Sequence, residues 1–491
     1  MKRTARILSA VSAALLLGSM SSCGTVVERA GSLDSVPAMA PGTTSHTGAS
    51  AGTSSVSSKT EPATGTTTEK VPDVMRGKLF DAKGNVLMYS EKGADGKEVR
   101  MTNDTNKVAF ANVLNEMSEG LDLTFDDILR TANPTPVDGS DKVGQSVRLT
   151  FDADTQNAVY SFMASNNIAG SAVVMRTDGS LMAQVSSPSY DPDTYYGVKT
   201  DEDLAWGTYG NKASQNAEPG SCFKIMSEVI ADKHGITSLY DEGTWEFDGV
   251  SIVNWDHDQT WNYPIADRSL YSAFINSSNI FFAKAFDQIG KDDVLADLDG
   301  IFHFCSDISC DFGTLHNNVE IYCDDDLRRT AFGQSYVLTC PLYLAALGRE
   351  AVFGDMVTPF TIGSIVDTND CGKVIKQGTQ PNQVLCSIPA EYRQNLLSGM
   401  SGVGANIGVY VPAGYEFYAK TGTAETWKGD FLYITGIVKN QGDNGSGPYD
   451  YTNYNGSYII VMQIQNPGSF GFSFASESAS LYQGLVNTVV G

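Results

Sequence analysis

Apolar and polar positions change their rhythm several times along the chain. From Gly24 to about Val71, Ser, Thr, Gly, Ala and Pro dominate, and no aromatic residue precedes Phe80. Such a stretch cannot bury enough apolar surface to offset its ordering entropy, so residues 23–71 are expected to be a flexible tether. Arg76 to Leu87 then reads as two short strands around a Lys83-Gly84-Asn85 turn, with a helix expected near Val108–Met117. Residues 72–149 are read as a small N-terminal module. Ala172–Met175 and Leu181–Val185 are strand-like runs around Asp178-Gly179, a favoured hairpin dipeptide. A long, mainly helical middle is expected from Leu204 to Ser398. Strand candidates follow at Glu416–Ala419, Phe431–Val438 and Tyr458–Gln463, and Ala475–Val490 carries a helical pattern. The fold class is therefore mixed α/β. One domain, 150–491, forms its sheet from both ends of the sequence around a large helical insert.

Composition narrows the function. Lys and Arg number 33 against 57 Asp and Glu, a net charge of −24. That field repels phosphate backbones, so no nucleic-acid partner is expected. Eight cysteines in 491 residues are too few for a disulfide scaffold, and no pair has zinc-ligand spacing. No apolar run reaches the length of a membrane span. The N-terminus instead reads as a signal peptide over residues 1–22: basic Lys2, Arg3 and Arg6, an apolar stretch from Ile7 to Met20, then Ser21 and Ser22 before Cys23. This resembles a bacterial lipoprotein cleavage site, with Met20 where leucine is usual, which implies lipidation of Cys23 and an anchor on the extracytoplasmic face of the cell membrane.

Three strings carry candidate chemistry. In Glu218-Pro219-Gly220-Ser221-Cys222-Phe223-Lys224, a turn leads into an apolar helical pattern, so Ser221 is expected at a helix N-terminus. Lys224, three residues on, lies on nearly the same face. There it can accept the serine proton if burial lowers its pKa. Lys420-Thr421-Gly422-Thr423 is expected where an edge strand ends, offering a cation and hydroxyls to a carboxylate, with a glycine that admits close backbone approach. Ser-x-Asn occurs at Ser165, Ser214 and Ser277. Ser277 and Asn279 are preferred because they lie in an amphipathic stretch, where polar groups need partners.

Together these strings resemble the penicillin-binding transpeptidases and serine β-lactamases, whose signatures are Ser-x-x-Lys, Ser-x-Asn and Lys-Thr-Gly in that order. Val147–Asp152 with Gln156, Ala183 through Pro192, Asn211-Lys212-Ala213, Gly333-Gln334-Ser335 and Thr339-Cys340-Pro341 extend the likeness to the class B, monofunctional proteins. The resemblance implies a β-lactamase/transpeptidase-like fold and a D,D-transpeptidase that cross-links peptidoglycan stem peptides ending in D-Ala-D-Ala. Ser221 would be acylated and Lys224 would take its proton. Ser277 would relay a proton to the leaving D-alanine, and Asn279 would bind a substrate amide. Lys420, Thr421, Gly422 and Thr423 would hold the terminal carboxylate, and the backbone N–H groups of Ser221 and Thr423 would form the oxyanion hole. β-Lactams would acylate the same serine.

No cofactor or metal is implied, but a separate glycan polymerase is. The alternatives are a D,D-carboxypeptidase, a serine β-lactamase, or a non-catalytic β-lactam sensor or cell-wall scaffold. The departures from the pattern, Cys222 for threonine, Ser278 for cysteine and Glu218 for an apolar residue or proline, remove no group the scheme uses. Asp256-His257-Asp258 reads as a solvated loop rather than a metal site. Cys305, Cys310 and Cys323 sit in an insert where pairing is undetermined, and Gln441–Ser457 is expected as a long loop near the cleft.

Overall fold

Long apolar strands with no polar alternation need cover on both faces, and the chain supplies it. The structure, a computed structural model, describes residues 74–115, 120–135, 142–194, 207–247, 249–257, 266–426 and 429–491. The leader, Cys23, the tether and Asp258 lie outside these residues. Eleven of the described strands make the two larger sheets. They are β1 (Leu79–Phe80), β2 (Val86–Lys92), β3 (Glu98–Thr102), β4 (Ser146–Leu149), β5 (Gly170–Arg176) and β6 (Leu181–Ser187), followed by β7 (Ile362–Asp367), β8 (Asp370–Gln377), β9 (Tyr415–Thr426), β10 (Gly429–Asn440) and β11 (Tyr458–Ile464).

The principal sheet runs β9-β10-β11-β5-β6, antiparallel throughout. Its residues alternate between two cores. Val173, Met175, Tyr433, Ile437, Ile459 and Val461 face one, with helix Pro341–Phe353 supplying Leu342, Leu344 and Leu347. Ala172, Val174, Leu432, Ile434, Ile460 and Met462 face the other, with Val159 and Met163 of helix Ala153–Ser165 and Tyr482 and Leu485 of helix Ala479–Val490. Burying each such Val, Leu or Ile contributes ~1.5–3 kcal/mol. The sheet is thus built from both ends of the sequence, as the apolar pattern predicts.

Several expectations are corrected. The middle is not mainly helical. Between its helices lie short two-stranded pairs, among them Ser238–Asp241 with Ala266–Ser269, Thr244–Phe247 with Val250–Val253, and Asn318–Glu320 with Tyr336–Leu338. Strands of three or four residues are too short to print a two-residue period. From the same region β7 and β8 join the strands of 72–149 in one sheet, ordered β8-β7-β4-β1-β2-β3. β9 does not end before Lys420 but continues to Thr426, because polar side chains interrupt its apolar pattern without interrupting its pairing with β10. The Gln441–Ser457 loop is not at the cleft. β10 pairs Leu432 with Thr423 and, eight residues further on, Asn440 with Tyr415, so the strand carries the chain away before the loop begins. There the loop packs against the β5–β6 turn, with Tyr451 Oη donating to Asp178 (2.6 Å) and Tyr449 and Thr177 sharing a hydrogen bond of 2.5 Å.

Among the described residues, no helix is long and apolar enough to cross a membrane. No disulfide links Cys305, Cys310 or Cys323. His257 is exposed as expected for a solvated loop, whereas its neighbour Asp256 is buried.

Candidate active site

Ser221 sits in a single 3-10 turn, Gly220–Phe223, that leads directly into helix Lys224–Lys233. Gly220 makes the turn possible. Its φ is +52°, and a Cβ there would stand 2.3 Å from the Thr423 carbonyl oxygen, so glycine alone lets the turn press against β9. Behind it, Gly333 adopts φ +74° and accepts a hydrogen bond from Gly220 N–H at 3.0 Å. Ala217 and Thr339 exchange backbone hydrogen bonds of 2.9 Å on the approach to the turn. The sequence landmarks around Gly333 and Thr339 therefore hold the backbone that presents Ser221.

The structure brings together Ser221, Lys224, Ser277, Asn279 and Lys420 as the sequence expects. Lys224 Nζ donates to Ser221 Oγ (2.9 Å), Asn279 Oδ1 (2.7 Å) and the Ser277 carbonyl (2.7 Å), and lies 3.2 Å from Ser277 Oγ. Lys420 Nζ donates to Ser277 Oγ (3.0 Å) and to the Thr421 carbonyl (2.9 Å). Ser277 thus bridges the amino groups of two lysines from opposite walls of the cleft. Thr423 Oγ1 accepts from Ala475 N–H (3.1 Å), and Gly422 lies where any Cβ would crowd Pro219 and Cys222.

Both lysines are fully buried. Burial holds Lys224 well below the usual lysine range, and the neighbouring Lys420 cation lowers it further, against a smaller opposing pull from Asp241. Burial brings Lys420 down to about 8 against a smaller opposing pull from Cys222. The first lysine is therefore far easier to deprotonate than an ordinary lysine and suited to accept a proton, while the second keeps its charge below about 8. Cys222 is buried with its thiol pKa raised by that burial, and its Sγ faces the Lys420 carbonyl at 3.6 Å, so it acts as a small packing residue.

Sequence reasoning missed the clasp beneath Ser277 and Asn279. The buried Asn254 side chain accepts from Asn279 N–H (2.8 Å) and Ile280 N–H (3.2 Å), and donates to both oxygens of Asp241 (2.9 and 3.0 Å). Ser278 Oγ donates to Asp241 Oδ2 (2.6 Å) and caps helix Asn279–Ile289 by accepting from Phe281 N–H (3.0 Å). Arg268 completes the cluster with an ion pair to Asp241 at 2.8 Å. These partners come from separate hairpins, and no spacing in the sequence announces them. Replacing Asn254 by alanine strands several buried polar groups, so a loss of about 2–3 kcal/mol is expected in chemical denaturation. The resulting shift of Ser277 and Asn279 should slow acylation by penicillin about 10–100-fold in a stopped-flow assay.

A nucleophilic hydroxyl beside a buried amine, with a second cation across a cleft that is lined by an edge strand, is an arrangement for acyl transfer to a substrate bearing a carboxylate. The family described as penicillin binding protein transpeptidase domain matches residues 170–444. Penicillin-binding protein 3 of Bacillus subtilis is 28% identical over 353 residues, covering 66% of this chain and 48% of that protein. Peptidoglycan D,D-transpeptidase MrdA of Haemophilus influenzae is 22% identical over 446 residues, covering 80% of this chain and 64% of that protein. The chain thus spans about half to two thirds of the length of these relatives. Among solved structures, the imipenem acyl-enzyme complex of penicillin-binding protein A from M. tuberculosis has the same fold, with a TM-score of 0.66 at 20% identity over 86% of this chain and all of that one.

Proposed function

The chain belongs to the penicillin-binding protein transpeptidase domain family, and from that premise we propose that it is a peptidoglycan D,D-transpeptidase that β-lactams acylate at Ser221. One observation carries the reading: Lys224 Nζ, buried and 2.9 Å from Ser221 Oγ, has its proton affinity lowered by the same surroundings that orient it. Ser221 Oγ attacks the penultimate D-alanine carbonyl of a stem peptide as Lys224 takes its proton. The backbone N–H groups of Ser221 and Thr423 receive the developing oxyanion. Ser277, held between the two lysine amino groups, relays a proton to the leaving D-alanine, whose carboxylate is bound by Lys420 with Thr421 and Thr423. Gly422 allows the strand to approach, and Asn279 presents its amide to the substrate. An amine from a second stem then attacks the ester carbonyl, forming the cross-link and restoring the serine.

The same reading places the protein on the extracytoplasmic face of a bacterial membrane, acylated at Cys23 and working with a separate glycan polymerase. The lipoprotein-like leader supports the anchor, and mass spectrometry of the mature N-terminus tests it. For the reaction, the full chain is incubated with a stem pentapeptide ending in D-Ala-D-Ala and a stem-peptide amine. Released D-alanine accompanied by an amide-linked dimer is the expected result. D-alanine with only the hydrolysed tetrapeptide would establish a carboxypeptidase instead. Rapid turnover of penicillin without stable labelling would establish a β-lactamase, and absence of labelling would leave a scaffold.

A further inference from the structure

Two large aromatic side chains meet beside the site, one from the segment next to Ser277 and one from the segment next to Thr423. Trp255 is 40% exposed and Phe474 is 36% exposed, and their rings stand edge to face with centroids 5.4 Å apart. Both are pinned close to the reacting groups. The Trp255 indole N–H donates to the Asn276 carbonyl at 2.9 Å, next to Ser277, and the preceding Asn254 holds the Ser277–Asn279 segment from below. Phe474 precedes Ala475, whose N–H is bonded to Thr423 Oγ1. The Glu477 carboxylate fixes the Phe474 backbone by accepting from Ser473 N–H (2.6 Å) and Phe474 N–H (2.9 Å). The indole is thus tied to the wall bearing Ser277 and the phenyl ring to the wall bearing Thr423, so the pair joins two segments that both border the turn of Ser221.

We infer that the Trp255–Phe474 pair is a specificity determinant of the second half-reaction, admitting an amine carried on an aliphatic chain to the acyl-enzyme while keeping bulk water out. The inference rests on the transpeptidase reading above. Its physical basis is the difference between the two acceptors. An amine at the end of a methylene chain that parts the rings replaces their mutual contact with apolar contact, so little apolar surface is exposed. A water molecule that parts them offers no such replacement, and both rings lose cover. The two outcomes share one acyl-enzyme. The nucleophile's nitrogen or oxygen bonds to the ester carbonyl carbon, the carbonyl carbon–Oγ bond of Ser221 breaks, and the proton lost by the nucleophile returns to Oγ. The product is an amide in one case and a carboxylic acid in the other.

The test uses the full chain with an acyl-D-alanyl thioester donor, whose released thiol counts acylations, and a peptide bearing a lysine ε-amine as acceptor. Trp255→Ala and Phe474→Ala should each lower the amide-to-acid product ratio about tenfold. Trp255→Phe, which keeps a ring, should hold the ratio closer to that of the wild type. One-to-one labelling by penicillin verifies that each variant retains its fold. An unchanged ratio in alanine variants that still label would overturn the inference. Failure of the wild type to release thiol would overturn the transpeptidase reading itself, and the inference with it.

Discussion

Ser221→Ala is expected to abolish covalent capture of fluorescent penicillin, with labelling falling by at least about 10⁴-fold, while the wild type labels one to one and retains the label over hours. The adjacent cysteine cannot take over. Cys222 is buried with its thiol pKa raised, and it faces the Lys420 carbonyl instead of the cleft. Because Ser221 accepts one bond from Lys224 at the mouth of a turn built by its glycine neighbours, its loss should change thermal stability by less than about 0.5 kcal/mol. Gel fluorescence and intact mass follow the label, and a variant that still labels at the wild-type rate would remove Ser221 from the mechanism.

Lys224→Met should slow acylation about 10³–10⁴-fold, the range by which a positioned proton acceptor contributes. The pH profile provides the sharper test. Lys224 acts when neutral, so acylation by penicillin in the wild type should fall as pH drops through its depressed pKa. Lys420 must stay charged to hold a carboxylate, so the profile should fall again above about 8. In Lys224→Met the acid limb should vanish and the alkaline limb remain. The stability sign is also fixed. The folded-state pKa of Lys224 lies below its unfolded value of about 10.4, so the folded chain binds fewer protons, and the wild type loses stability as pH falls from that value toward the folded pKa. The methionine variant should lack that slope in denaturation measured across the same pH range. Identical profiles in the two proteins would exclude Lys224 as the proton acceptor.

The site was more legible than the scaffold. Ser221, Lys224, Lys420 and Thr423 belong to two short strings whose residue types carry their chemistry, and the structure brings them together. Ser277 and Asn279 required a choice among three Ser-x-Asn strings, and the pair chosen for its apolar surroundings is one that the structure places beside Lys224. Asn254 and Asp241 stayed hidden because a buried polar clasp depends on which hairpins meet, a tertiary fact with no periodicity in sequence. The long strands at 170–187 and 429–464 were found because both faces are apolar. The pairs around 238–253 and 308–338 were absorbed into a helical middle because three or four residues leave no rhythm to read.

The pairing of β11 with β5 has a kinetic consequence. Ser171 stands opposite Gln463, 292 residues later in the chain. Among the described strands, β9 and β10 join the sheet through β11, so the wall that carries Lys420 and Thr423 enters the sheet only when nearly the whole polypeptide is available. Closing so long a loop is slow, and non-local pairing delays the folding transition. A nascent chain therefore holds its reactive serine without the strand that completes the site, and it remains pliable until its last segment arrives.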